Sequence, residues 1–265
     1  MKIKDVASSL RLDIIKMSNR AKAPHLASSL SCIDIVITLY EKVLKIFPKR
    51  PKNSTRDRFI LSKGHAATSL YVTLAYKGFF PKKDLLNYTK KNSVLEEHPN
   101  QSVKGVETAT GSLGHGLPVA CGMALSGKIN KLKYKTIVLL GDGECNEGTV
   151  WESAMFASAK KLNNLFVIID QNGWQGIGKT NEILNIRLLK EKWKSFGWNC
   201  FEINGHNYNQ IEKAFINKKN NKPTAIIAKT IKGKGVSFME DDNNWHYRIP
   251  TKEEVELSKK ELLNK

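Results

Sequence analysis

Apolar residues recur at helical spacing over residues 4–20 and 33–46, which predicts two amphipathic helices. Ser31, three residues ahead of Asp34, is placed to cap the second one. A loop rich in Pro, Lys and Asn follows (48–55). RDRFILSKGHAATSLYVTLAYKG then reads as a short strand, a turn and a helix ending near Gly78. Residues 92–113 have little periodicity and many polar and glycine residues. They predict a long ordered loop, and loops of that length in a compact domain are commonly functional.

From Gly114 the pattern changes. A helix to about Gly127 is followed by the strand KTIVLL, the segment GDGECNEG and a helix from about Val150 to Leu162, with Thr149 and Glu152 at capping-box spacing. Next come the strand LFVIID, the turn QNGWQGIG, a helix over 185–196 and the strand NCFEI. A helix from Tyr208, the strand TAIIAK and a charged helix over 252–264 complete the order. Short apolar strands alternating with amphipathic helices predict an α/β, doubly wound, mainly parallel sheet with helices on both faces. No internal repeat or linker interrupts it. The expected organisation is one domain over 1–265: an N-terminal helical layer with loops (1–113), an α/β core (114–250) and a C-terminal helix (251–265).

Composition narrows the field. At 265 residues, 41% hydrophobic and 26% charged, the chain suits a folded domain and not a disordered one. Its apolar runs, such as Ile137–Leu140 and Leu165–Ile169, are too short to span a bilayer, and the N-terminus lacks a signal peptide's apolar core. Cys32, Cys121, Cys145 and Cys200 are far apart with no CxxC pair, which predicts free thiols in a reducing cytoplasm. The net charge of +18 suggests a polyanionic partner. Yet only 7 of the 43 basic residues are Arg, the side chain that reads phosphate and guanine edges bidentately. The lysines are scattered in pairs such as Lys82–Lys83, Lys90–Lys91, Lys160–Lys161 and Lys218–Lys219. A solvated lysine-rich surface is the expectation, with no nucleic-acid and no membrane partner. Part of that charge would face an acidic partner or steer phosphorylated substrates.

The sharpest local feature is Gly141-Asp142-Gly143 directly after a buried strand. Residue 146 is Asn, so a G-x-G-x-x-G fingerprint fails, and no Gly-Lys-Ser/Thr follows to make a P-loop. The segment offers a carboxylate between glycines at the carboxyl end of a strand, where doubly wound sheets bind ligands. Thirty residues on, the next strand ends in Asp170-Gln171-Asn172-Gly173-Trp174. A right-handed crossover brings neighbouring strand ends together, so Asp142 and Asn172 can aim oxygens at one hard cation. Mg²⁺ takes one or two carboxylates and fills its shell with amide, carbonyl, water and phosphate oxygens. Together the two segments point to a metal-held diphosphate.

With these features the chain resembles the transketolase family, whose thiamine diphosphate fingerprint is GDG followed about thirty residues later by Asn. HLASSLS (25–31), RDRFILSKGHA (56–66), EEHP (96–99), GVETATGSLGHGL (105–117) and GDGECNEG (141–148) match that family in order, over about residues 5 to 250. The match is to its N-terminal, diphosphate-binding domain and looks most like transketolases split into two chains. The resemblance implies thiamine diphosphate with Mg²⁺, or Ca²⁺ or Mn²⁺ in its place, held by Asp142, Asn172 and the carbonyl of Trp174. It places Gly141, Gly143 and Glu144 beside the diphosphate. The loop through Gly111, Ser112, Leu113, Gly114 and His115 contacts the cofactor. His25, His65 and His98 line the substrate channel, joined by His246 of NNWHYR, and Glu147 connects active sites across a subunit interface. The family commonly has glycines around His25; here Pro24-His25-Leu26-Ala27-Ser28 predicts a stiffer loop.

The implied reaction transfers a two-carbon ketol unit from a ketose phosphate to an aldose phosphate. The cofactor is the electron sink, and protons move at hydroxyls near neutral pH, which suits imidazole. His206, in NGHNY, reads as an ordinary structural histidine at a helix start capped by Asn207. The activating glutamate and the sugar-phosphate-reading residues of the family belong to a pyrimidine-binding domain. That domain is expected on a separate C-terminal subunit, in a heterotetramer (α2β2) self-associating through the present one. A pyruvate-using carboligase resembling deoxyxylulose-phosphate synthase, and a non-catalytic scaffold of the same fold, remain open alternatives.

Overall fold

A computed structural model describes residues 2–186, 188–216 and 221–263. Arg187, the Lys218–Lys219 pair and residue 264 of the last predicted helix lie outside the described residues.

Five strands form one wholly parallel sheet: β1 (Arg58–Leu61), β2 (Thr136–Gly141), β3 (Leu165–Gln171), β4 (Asn199–Asn204) and β5 (Thr224–Lys229), in the order β1-β2-β3-β5-β4. Successive side chains of β1, β2, β3 and β5 alternate between two apolar layers, while the edge strand β4 is largely exposed. Phe59, Ile137, Leu139, Ile168 and Ile226 pack into one. Ile60, Val138, Leu140, Val167 and Ile227 pack into the other. The first layer is closed by α1 (Ile3–Ala21), α2 (Leu26–Thr38) and α3 (Ala67–Tyr76). The second is closed by α4 (Gly116–Ile129), α5 (Gly148–Ala159) and, after the single turn α6 (Thr180–Ile183), by α7 (Leu189–Ser195). Helices α8 (Tyr208–Lys213) and α9 (Lys252–Leu263) complete the chain, and α9 packs on α1. The doubly wound sheet covered on both faces is as expected, and β1 joins it from the N-terminal third.

Two expected caps are corrected. Helix α2 begins at Leu26, seven residues before the apolar period suggests, so Ser31 lies inside it and caps nothing. Every residue of α2 is buried, so it has no polar face and its first two turns show no amphipathic pattern. Its hydroxyls bond inside the fold: Ser31 Oγ is shared between the Ser28 carbonyl at 3.0 Å and Asp170 Oδ2 at 2.6 Å, and Thr38 Oγ1 donates to the Asp34 carbonyl at 2.6 Å. At α5 the N-cap position is Glu147, and Thr149 Oγ1 instead donates to the Gly114 carbonyl at 3.2 Å. Asn207 does cap α8, accepting from the Gln210 N–H at 3.0 Å. Among the described residues the helix expected over 185–196 is confined to α7, and all four cysteines are free and buried.

Candidate active site

Parallel strands deliver their following loops to one edge, and here four of them converge. β1 runs into Ser62-Lys63-Gly64-His65, β2 into Gly141-Asp142-Gly143, β3 into Asn172–Trp174, and β5 into Thr230 and Lys232. The register pairs Gly141 with Asp170, which sets Asp142 beside the end of β3. A cleft of about 380 Å³ opens there.

Its floor is acidic. The Asp142 carboxylate, 3% exposed, accepts from the Gly143 N–H at 3.0 Å, the Gly173 N–H at 2.9 Å and Thr180 Oγ1 at 3.1 Å, and no cation among the described residues bonds it directly. Burial, with Asp170 nearby, pushes its pKa up to about 6. The nearest buried cation is committed elsewhere: Lys63 Nζ lies 2.5 Å from Asp170 Oδ2 and donates to the Ser28 carbonyl at 3.1 Å. Burial opposes both charges of that pair, and their mutual attraction outweighs it, holding Lys63 up and Asp170 down. Asp170 also accepts from Ser31 and Thr230, so it ties β3 to α2 and to the end of β5. Asn172 Oδ1 accepts from the Trp174 N–H at 3.0 Å and its amide donates to Ser31 Oγ at 3.4 Å.

One wall is a glycine cradle. A Cβ on Gly143 would stand 2.7 Å from Gln175 Cγ, so any larger residue there would have to displace that side chain. Gly111 has φ +147, and a Cβ there would lie 3.0 Å from the His98 ring. Glu144 is buried and accepts from Ser62, from the Gly114 N–H at 2.8 Å and from the Gly141 N–H at 3.1 Å. It holds the 111–116 loop against β1 and β2.

The other wall is imidazole. The His25 ring centroid lies 4.9 Å from that of His246, 5.7 Å from His65 and 6.5 Å from His98. His25 sits at φ 66 just before α2, and its N–H donates to the His246 carbonyl at 2.8 Å. Burial lowers the pKa of His25 and lowers that of His65 well below its usual value. Burial, then Lys232 beside it, pushes His246 down to about 3. Lys232 Nζ is 2.9 Å from His246 Nδ1 and donates to Asn243 Oδ1 at 2.6 Å. In its ammonium form Lys232 can only donate to that ring nitrogen, and in that form the neutral His246 proton sits on Nε2. Burial, then the charge of Lys63, lowers Lys232 itself to about 7.

The cleft gathers His25, His65, His98 and His246 with Gly111, Leu113, Gly141, Asp142, Gly143, Glu144, Asn172 and Trp174, and exposed Glu147 stands at its rim. Ser112, Gly114 and His115 do not line it; Ser112 and His115 are exposed, and His115 Nδ1 turns back to the Leu113 carbonyl at 3.1 Å. Lys63, Lys232, Ser28, Gln175 and Tyr247 escaped sequence reasoning. Lys63 lies within the RDRFILSKGHA match and Gln175 follows Trp174 in the same loop, but Lys232 carries no local signal because long-range packing alone brings it in.

The profile of the family described as transketolase, thiamine diphosphate binding domain, matches residues 3–264. The chain is 41% identical over 254 residues to one of the subunits of apulose-4-phosphate transketolase from Phocaeicola vulgatus, covering 95% of this chain and 90% of that one. It is 40% identical to human transketolase over 245 residues, 92% of this chain and 39% of the human protein. Among solved structures, transketolase of Campylobacter jejuni superposes with a TM-score of 0.92 at 32% identity, over 99% of this chain and 43% of that one. The chain thus spans less than half the length of these human and Campylobacter transketolases, and nearly the whole of the Phocaeicola subunit.

Proposed function

The chain belongs to the transketolase family, and from that premise we propose that it is the cofactor-holding half of a two-chain enzyme that transfers ketol units between sugar phosphates. The observation that carries this reading is the convergence of Asp142 and Asn172 on adjacent strand ends, under a glycine cradle and facing four histidines.

The residues present fit thiamine diphosphate and a divalent cation. Asp142 is a buried carboxylate without a bonded cation among the described residues, and Lys63 is spent on Asp170, so a bound Mg²⁺ would supply the missing charge. Asp142, Asn172 and the Trp174 carbonyl would hold that ion. Buried Gln175 Nε2 has no hydrogen-bond partner among the described residues and is free to donate to an anion beside Gly143. When bound, the cofactor supplies the electron sink for breaking a carbon–carbon bond next to a ketone.

This chain's residues then manage protons. With Lys232 charged, neutral His246 carries its proton on Nε2, and neutral His25 has a buried Nδ1 with no partner among the described residues. One ring can donate to a substrate hydroxyl while the other accepts, with no charged imidazole needed at neutral pH. Val119 on α4 and Met155 and Phe156 on α5, the helix that Glu147 opens, are exposed, which suits self-association of this domain in an α2β2 assembly, with a separate chain bringing the pyrimidine-binding domain. Calorimetric titration with thiamine diphosphate and Mg²⁺ tests the reading. Asp142→Ala should weaken binding by at least a hundredfold; unchanged affinity would overturn it.

A further inference from the structure

The Trp174 side chain is not needed to hold the ion, since only its carbonyl would face it. Its indole is nevertheless fixed from two directions. Nε1–H donates to Asp241 Oδ1 at 2.6 Å, and Lys179 Nζ lies 4.0 Å from the ring centroid. Lys179 in turn pairs with Asp241 at 3.4 Å. Trp174 and Lys179 face each other across an antiparallel bridge, closed by the Gln175 N–H to Gly178 carbonyl bond at 2.8 Å and the Thr180 N–H to Gly173 carbonyl bond at 2.9 Å. Asp241 belongs to a different segment, the strap between Lys232 and His246. It sits at φ 56, and its N–H donates to the Lys232 carbonyl at 2.9 Å. A second bond joins the same two segments: Asn243 Nδ2 to the Gly176 carbonyl at 3.2 Å.

We propose that Asp241 and Lys179 are positioning residues that clamp the Trp174 indole, hold the 172–180 loop in its ligand-presenting shape and lock it to the strap carrying Lys232 and His246. The inference rests on the function proposed above. An exposed ion pair contributes little to global stability, and Asp241 is exposed, so the clamp is no fold-stabilising device. Its effect is local. The loop is anchored at its base by Asp142, through the Gly173 N–H and Thr180 Oγ1. A cation on Asp142 would draw on those same oxygens, leaving the indole clamp to keep the Trp174 carbonyl and Asn172 in place. Bulk at position 174 thereby gains a purpose: a smaller side chain would present the same carbonyl without reaching Asp241.

Hydrogen exchange of residues 172–180, measured on the chain without cofactor, tests the clamp separately from the function. Asp241→Ala and Trp174→Phe, which removes only the N–H donor, should each raise exchange there about tenfold and weaken binding of Mg²⁺ with thiamine diphosphate by a similar factor. The double variant should add little to either single one. Asp241→Asn keeps an acceptor and tolerates positive φ, so it should restore most of the protection. Unchanged exchange in both single variants, or raised exchange with unchanged cofactor affinity, overturns the proposal. A wild-type chain that binds no cofactor while exchange responds as expected would instead overturn the function reading and reduce the clamp to a structural contact.

Discussion

Two clusters of buried polar side chains lie at the carboxyl end of the sheet, each built around histidine, and they are finished differently. In one, Asp34 of α2 accepts from Arg11 at 3.0 and 2.6 Å, from Tyr208 at 2.9 Å and from His206 Nδ1 at 2.8 Å. His206 Nε2 accepts from the Ile231 N–H at 2.9 Å. Both ring nitrogens and both carboxylate oxygens are used, so the cluster stitches α1, α2, α8 and the end of β5 together. In the other, His25 Nδ1 and Gln175 Nε2 have no partner among the described residues, and Asp142 has no bonded cation there. A satisfied polar network reads as structure; one with atoms left over reads as a site awaiting a ligand.

Substitutions should separate the two clusters. With a pyrimidine-domain partner present, His246→Ala should lower kcat by about 10²-fold or more, the range for losing a proton-transfer group, with stability nearly unchanged. A kcat within threefold of wild type would remove His246 from proton transfer. Asp34→Asn should do the reverse. It leaves the Arg11 guanidinium buried beside a neutral amide, at a cost of about 3–5 kcal/mol in urea unfolding at pH 7, with cofactor affinity of the folded protein intact. His206→Ala should cost about 1–3 kcal/mol, chiefly for the hydrogen bond withdrawn from buried Asp34, and again leave cofactor affinity alone.

The smallest effect is in the pH dependence. Arg11 and His206 outweigh the burial of Asp34 and hold its carboxyl well below the usual carboxylate value of 3.8. Below that value the unfolded chain takes up a proton that the native carboxylate declines, so native stability falls as pH falls and is fully present above it. Unfolding curves at successive pH values from 6 to 3 should show that loss in the wild type and a shallower one in Asp34→Asn.

Which features were legible in the sequence follows from the range of the interactions that make them. The strand and helix order depends on local apolar periodicity, and Asp142 with Asn172 could be paired because one crossover joins adjacent parallel strands. The start of α2 was illegible because a helix buried on every side has no polar face to mark its turns. The Thr149 and Glu152 spacing misled because Thr149 bonds across to Gly114, thirty-five residues away in sequence. Lys232 could not be singled out among 36 lysines: its depressed pKa comes from burial and from Lys63 across the cleft. Asp241 likewise gains its place only from a fold that sets it against Trp174.

On the function proposed above, this chain holds the metal and diphosphate end of an active site whose other half is on a second chain. Ketol transfer measured with the purified chain, Mg²⁺ and thiamine diphosphate, alone and then with a partner carrying the pyrimidine-binding domain, tests it most directly. Cofactor binding with no turnover is predicted for the chain alone, and turnover on mixing. Robust ketol transfer by the chain alone would contradict it.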